Sequence, residues 1–160
     1  MDDAGFSFLD LLRQNASLKK RYGRDYALVR LEIDGLENVE DKAAEQVRQA
    51  LAECCQASLR DEDLGTLCGD TGFAMLMPET TLARAAVAAE RLRTDFQALK
   101  LPVSQGTLSA GVTEGRDEDD SGDQVLARAE EALRQAIDEG GNCLRTSEGR
   151  SAADGSNNGG

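Results

Sequence analysis

The chain reads as short apolar runs of two different periods, separated by turn residues. Between residues 5 and 21, Phe6, Phe8, Leu9, Leu11, Leu12 and Leu18 recur at helical spacing, and Gly23 supplies a stop. Residues 26–33, Tyr-Ala-Leu-Val-Arg-Leu-Glu-Ile, favour β structure and predict a mostly buried strand. Helical spacing returns over about 39–59, where Val47, Ala50, Leu51, Cys54 and Cys55 fall on one face. Two short apolar runs, 63–68 and 73–77, flank Gly69-Asp70-Thr71-Gly72, which is a hairpin pattern, and Pro78 closes the second run. Thr80 or Thr81 can cap the Ala- and Arg-rich helix that follows and runs to about Leu99. A further strand is expected over 107–113, then an acidic loop at 117–120. Residues 123–137 predict an amphipathic helix with Leu126, Ala129, Leu133 and Ile137 in the core, stopped by Gly140-Gly141. Cys143-Leu144-Arg145 can form a last short strand.

That order, with a hairpin at its centre and no internal repeat, points to an α+β layer: a largely antiparallel sheet with helices packed on it. The 160 residues suit one domain, placed at 1–147. Residues 148–160 are Gly, Ser, Asn, Ala, Asp, Glu and Arg with almost no apolar content, so they are expected to be a disordered tail.

Charge narrows the range of ligands. Eighteen Lys and Arg against 30 Asp and Glu give a net charge of −12, which excludes the broad basic face that a nucleic acid polymer needs. A small anion remains compatible, because a local pair of arginines can outweigh a distant negative field. The chain has no histidine, and so lacks the commonest general base and metal ligand. Cys54, Cys55, Cys68 and Cys143 have no metal-like or redox-motif spacing and read as reduced cytosolic thiols. No apolar run approaches the ~20 residues that would cross a bilayer, and the acidic start Met1-Asp2-Asp3 is unlike a signal peptide. The expectation is a cytoplasmic protein without membrane insertion, resident metal or cofactor.

The central residues carry a resemblance. Glu32-Ile33-Asp34-Gly35-Leu36-Glu37 corresponds to a family strand ending in Asp-x-Asp-x-Phe-Lys. Gly69-Asp70-Thr71-Gly72-Phe73, followed by Ala74-Met75-Leu76-Met77-Pro78, corresponds to Gly-Gly-Asp-Glu-Phe and its apolar strand. Ala89-Glu90-Arg91-Leu92-Arg93, Leu108-Ser109-Ala110-Gly111-Val112 and Gly140-Gly141-Asn142 follow in the family's order. Over most of residues 25–145 the chain resembles the GGDEF family of diguanylate cyclases. The resemblance implies a nucleotide-cyclase-like α+β fold, with a central five-stranded, largely antiparallel sheet, a ferredoxin-like core and flanking helices.

It also implies a degenerate active site. In the family, two carboxylates hold divalent metal against GTP, and the Gly-Gly turn lets backbone approach the ligand. With Phe73 in register, Thr71 and Gly72 stand in place of the Asp-Glu pair, and Gly69 and Asp70 in place of the two glycines; Asp70 on its own reads as a turn residue. The family's guanine-contacting Asn becomes Glu40, Asp41 runs directly into helix without the usual Tyr-Gly-His segment, and a late-helix Lys becomes Ile137. Glu32 and Asp34 survive as acids, and read as a solvated strand end or as weak metal ligands. A residual GTP-binding regulator would use Glu32, Asp34 and Asp41. Catalysis is not expected.

A second site is implied instead. Arg60-Asp61-Glu62-Asp63 is an Arg-x-x-Asp motif at the family's inhibitory-site distance before the signature turn, and in the family it binds cyclic di-GMP. A guanidinium fork binds guanine N7 and O6 or a phosphate, while a carboxylate accepts from guanine N1 and N2. Arg91 matches a family arginine that contacts the same ligand. The plainer readings are a surface pair for Arg60 and Asp63, and a helix-surface arginine beside Glu90 for Arg91. Arg84, Arg93 and Lys100 could widen a positive patch or belong to a solvated face, and Gly65 suits a bulge or a close backbone approach. The expected function is a catalytically inactive cyclic di-GMP receptor whose bound state is read by a protein partner or by self-association. The alternative is a nucleotide-independent scaffold within a signalling or secretion assembly.

Overall fold

The apolar run that begins at Tyr26 becomes strand β1 (Tyr26–Asp34), with neighbours along both edges and helices over both faces. The computed structural model describes residues 7–104, 106–118 and 121–147. Helix α1 (Phe8–Tyr22) precedes β1, and α2 (Asp41–Ser58) follows it. Next come β2 (Leu64–Cys68), β3 (Gly72–Pro78), α3 (Leu82–Gln97), β4 (Thr107–Glu114), α4 (Gly122–Asp138) and β5 (Leu144–Thr146). The five strands lie in the order β2-β3-β1-β4-β5, antiparallel except for the parallel β4–β5 pair at one edge. This is the expected α+β fold with a largely antiparallel five-stranded sheet. The tail expected at 148–160 lies outside the described residues, as do Phe6 and the end of the acidic loop.

Strand alternation divides β1 between two cores. Ala27, Val29, Leu31 and Ile33 pack with Val47, Leu51, Ala89, Leu92 and Phe96 of α2 and α3. Tyr26 and Leu28 face the other way, toward Leu12 and Ala16 of α1 and Val125 and Ala129 of α4. Burial on both faces explains why the strand reads as a nearly continuous apolar run rather than as an alternation.

Local signals set the ends of the elements. Ser7 and Asp10 form a capping box at α1, and Gly23 ends that helix in the left-handed region with φ 70°. Of the two candidate threonines, Thr81 caps α3 by accepting from the Arg84 amide. Thr80 is buried and bonded elsewhere. At Gly65 a Cβ would lie 2.7 Å from the Phe73 ring, so this glycine gives the close approach that lets Phe73 pack. All four cysteines are free. Among the described residues no helix is long and apolar enough to cross a membrane.

One expected core residue is displaced. Ile137 is 42% exposed, and Leu126 is only half-buried. The inward face of α4 is instead Val125, Ala129, Ala132, Leu133 and Ala136. Small residues predominate there because α4 lies almost directly on β4. A Cβ at Gly111 would sit 2.3 Å from both the Ala129 carbonyl oxygen and the Leu133 nitrogen, which are backbone atoms that cannot rotate away. Gly111→Ala should therefore push α4 off the sheet and cost about 2 kcal/mol or more, read as a lower urea midpoint with little change in m-value.

Candidate functional site

Two concavities coincide with the residues singled out in the sequence. The first, of about 620 Å³, opens at the end of β1 and is lined by Glu32, Asp34, Glu37, Thr71, Ile137 and Gly141 among others. The hairpin turn reaches it because the Ile33 amide donates to the Thr71 carbonyl at 2.9 Å, while Cys68 pairs with Gly72 across the turn.

The acids there are not a solvated strand end. Asp34 accepts from the Thr107 hydroxyl at 2.8 Å, the Ser109 hydroxyl at 2.8 Å and the Asn142 amide at 2.9 Å. Its carboxylate joins β1, β4 and the turn before β5. Glu32 accepts the Thr71 hydroxyl and lies 3.6 Å from the Arg30 guanidinium. A Cβ on Gly72 would come within 2.8 Å of Arg30 Nη1, Glu32 Oε1 and the Cys68 carbonyl, so a longer side chain at that signature position requires rearrangement. Glu40 and Asp41 are exposed at the start of α2, where Glu40 makes no side-chain cap. Gly69 turns the hairpin with φ 63°, and Asp70 is exposed beside it. This donor set does not fit a divalent cation, which needs several free oxygen ligands. One carboxylate is occupied by three protein donors, and the other faces a hydroxyl and a guanidinium. Among the described residues no group of three Asp, Glu, Cys or His side chains gathers to hold a metal.

The second concavity, of about 490 Å³, lies between the end of α2 and the outer face of α3. Arg60, Asp63 and Arg91 all line it, together with Thr80, Arg84, Ala88 and Asp95. The turn after α2 brings the motif into this position: the Asp63 amide donates to the Arg60 carbonyl at 3.0 Å, and the Arg60 amide to Asp63 Oδ2 at 2.9 Å. The side chains close on each other as a fork, with Arg60 Nε to Oδ2 at 3.0 Å and Nη2 to Oδ1 at 2.7 Å. Nη2 also donates to the Thr80 hydroxyl at 2.7 Å.

The pair is unequal. The Asp63 side chain is 1% exposed and the Arg60 side chain 42%, so the carboxylate anchors a guanidinium that faces solvent. The hydrogen bond to Asp63 raises the Arg60 pKa further. Arg91 does not pair with Glu90. Glu90 bonds Arg93 at 2.5 Å, and Arg93 also donates to the Asn142 side chain at 2.7 Å. Arg93 is thereby removed from the expected positive patch, and Lys100 does not line the cavity. Arg84 does. The sequence marks Thr80 only as a possible cap; its part in orienting Arg60 depends on a long-range meeting of 60 with 80 that no local pattern announces.

A model of the diguanylate cyclase GGDEF domain matches residues 6–143. The chain belongs to the GGDEF family. This GGDEF domain is 32% identical over 136 residues to the diguanylate cyclase DgcP of Pseudomonas aeruginosa, covering 78% of the present chain and 20% of DgcP. To the response regulator PleD of Caulobacter vibrioides it is 29% identical over 146 residues, covering 85% of the chain and 32% of PleD. The chain thus spans a third or less of these relatives. Its fold matches that of the GGDEF domain of DgcB from Caulobacter crescentus, solved in complex with c-di-GMP, with TM-score 0.81 and 21% identity over 92% of this chain and 98% of that one.

Within this GGDEF domain, the role of Asp34 can be checked directly. Asp34→Ala orphans three donors, one of them on the fully buried Ser109, and should destabilise the fold by about 3 kcal/mol in urea unfolding. A carboxylate at a solvated strand end would cost little.

Proposed function

We propose that this GGDEF domain is a cyclic di-GMP receptor that does not synthesise the dinucleotide, and that Arg60, Asp63 and Arg91 hold the ligand. The observation that carries this reading is that all three line one concavity of about 490 Å³. The size suits a small ligand rather than a polymer, and the guanidiniums suit its chemistry: planar forks match guanine N7 and O6 or phosphodiester oxygens, and their charge answers the ligand's two phosphates. Asp63 has two successive roles. In the free protein it fixes the Arg60 fork. When a guanine engages Arg60 and the internal pair loosens, the carboxylate can accept from the purine N1 and N2 donors. The fit to DgcB, whose structure holds c-di-GMP, supports the ligand class.

Loss of synthesis is proposed from the first concavity. Synthesis in the family places metal and GTP against free carboxylates, whereas here Thr71 and Arg30 occupy Glu32, and Asp34 is bonded three ways. The bound state is then read by a protein partner or a second copy of the domain.

Calorimetric titration with cyclic di-GMP tests the reading. The wild type should bind, and Arg60→Ala and Arg91→Ala should each weaken binding ten-fold or more, the usual cost of a charge-assisted contact. Incubation with GTP and magnesium should yield no cyclic di-GMP. Absence of heat at tens of micromolar wild-type protein would remove the receptor reading and leave a protein-docking scaffold.

A further inference from the structure

The cavity that holds Arg60 also holds a cation that no motif accounts for. Arg84, Ala88 and Arg91 follow one another along α3 at spacings of four and three residues, on one face, and all three line the concavity. Ala88 leaves room between the two long side chains. Neither guanidinium meets a hydrogen-bond or ion-pair partner among the described residues, although this chain carries 30 acids. Arg13, Arg48, Arg93 and Arg134 each take a carboxylate three residues away. Arg84 has threonine, valine and alanine at the corresponding positions: Thr80, Thr81, Val87 and Ala88.

The charges facing Arg84 leave it uncompensated. Asp63 and Asp95 are the carboxylates lining the cavity, against Arg60, Arg84 and Arg91. Asp63 is already closed on Arg60. Arg84 also lies in the first turn of α3, which holds no acid, where the aligned peptide dipoles add positive potential to its own. Two of the first-turn amides are already engaged: Leu82 N donates to Glu114 at 3.0 Å and Arg84 N to the Thr81 hydroxyl at 3.3 Å. An anion arriving here would be met by side chains.

We propose that Arg84 is a phosphate contact of this cavity, distinct in its task from Arg60. The inference rests on the receptor reading. Arg60 is oriented by Asp63 and Thr80, a directed fork that meets the edge of a base once the pair with Asp63 loosens. Arg84 has no orienting partner, so it acts as a mobile charge at the rim, which suits a phosphodiester that can be approached from several directions. Arg84 thereby selects for the doubly charged cyclic dinucleotide over an uncharged purine ligand.

Calorimetry and thermal unfolding of Arg84→Ala, Arg84→Lys, Arg60→Ala and the wild type, all with cyclic di-GMP, decide the matter. Arg84→Ala should weaken binding about ten-fold while leaving the melting temperature of the free protein undiminished, since no internal contact is lost. Arg84→Lys should recover most of the affinity, because a phosphate accepts a point charge. Wild-type affinity in Arg84→Ala, with Arg60→Ala impaired, would overturn the Arg84 assignment and leave the receptor standing. A drop in melting temperature matching the loss of binding would make Arg84 structural, and no recovery in Arg84→Lys would place it on a base edge; either result overturns the phosphate role. No binding by the wild type overturns both readings.

Discussion

A strand paired along both edges and covered on both faces obliges every polar group on it to find its partner within the protein. Strand β1 is such a strand, and its last three residues on the α4 side before the turn are Arg30, Glu32 and Asp34. Desolvated charge is tolerated only when paired, and each of these side chains has a partner, although the buried Arg30 Nε makes no hydrogen bond and is left to the Glu130 carboxylate at 3.6 Å. Asp34 gathers two hydroxyls and an amide, Glu32 takes the Thr71 hydroxyl, and Arg30 bonds the Leu31 carbonyl and lies between Glu32 and Glu130. The acids of this strand end thus make bonds that tie together the hairpin turn, the start of β4 and the approach to β5.

The Arg-x-x-Asp segment is under a different constraint. It lies beyond the end of α2, outside the sheet, where a guanidinium can keep one side in water. Burial of the Asp63 carboxylate alone concentrates the cost of desolvation on a group that receives three donors from Arg60. The result is a preorganised fork rather than a rigid plug, and this difference in exposure is why one concavity presents charges outward while the other turns them inward.

Much of this architecture was legible in the chain. The order of the nine described elements could be read from periodicity and turn residues together. Helices α1, α3 and α4 start at a Ser or Thr cap, and Gly69 and Pro78 mark the hairpin and the end of β3, whereas α2 carries no such cap and was legible from its apolar spacing alone. The meeting of Arg60, Asp63 and Arg91 could be anticipated only through the resemblance, since 30 residues, including a hairpin, separate the first from the last. What periodicity misjudged was α4. An i, i+3, i+7, i+11 stripe from Leu126 to Ile137 looks like a core face, but Gly111 beneath the helix demands small side chains, and the helix rotates to put Ala132 and Ala136 inward. A contact surface is decided by both partners, and the sequence of one helix describes only its own half. The same holds for Asp34, whose partners at 107, 109 and 142 are set by β4 and the last turn.

The contrast between neighbouring arginines on α3 carries the point to function. Arg91 and Arg93 are two residues apart, hence on different sides of the helix. Arg93 meets Glu90 and Asn142 and becomes a strut between α3 and the C-terminal turn. Arg91 looks into the concavity with Arg84 and Arg60. In a chain of net charge −12, long-range attraction favours every arginine finding an acid, as Arg60 finds Asp63, so Arg84 and Arg91, lining the same concavity without such a pair, raise the energy of the free protein. Such a cluster lowers its energy when an anion enters, because the repulsion among the cations is relieved at the same time as new contacts form. The acidity of the whole chain and the arginines of one cavity thus act on different scales: the surrounding field is unfavourable to polyanions, whereas the potential inside the concavity is set locally by Arg60, Arg84 and Arg91 against Asp63 and Asp95.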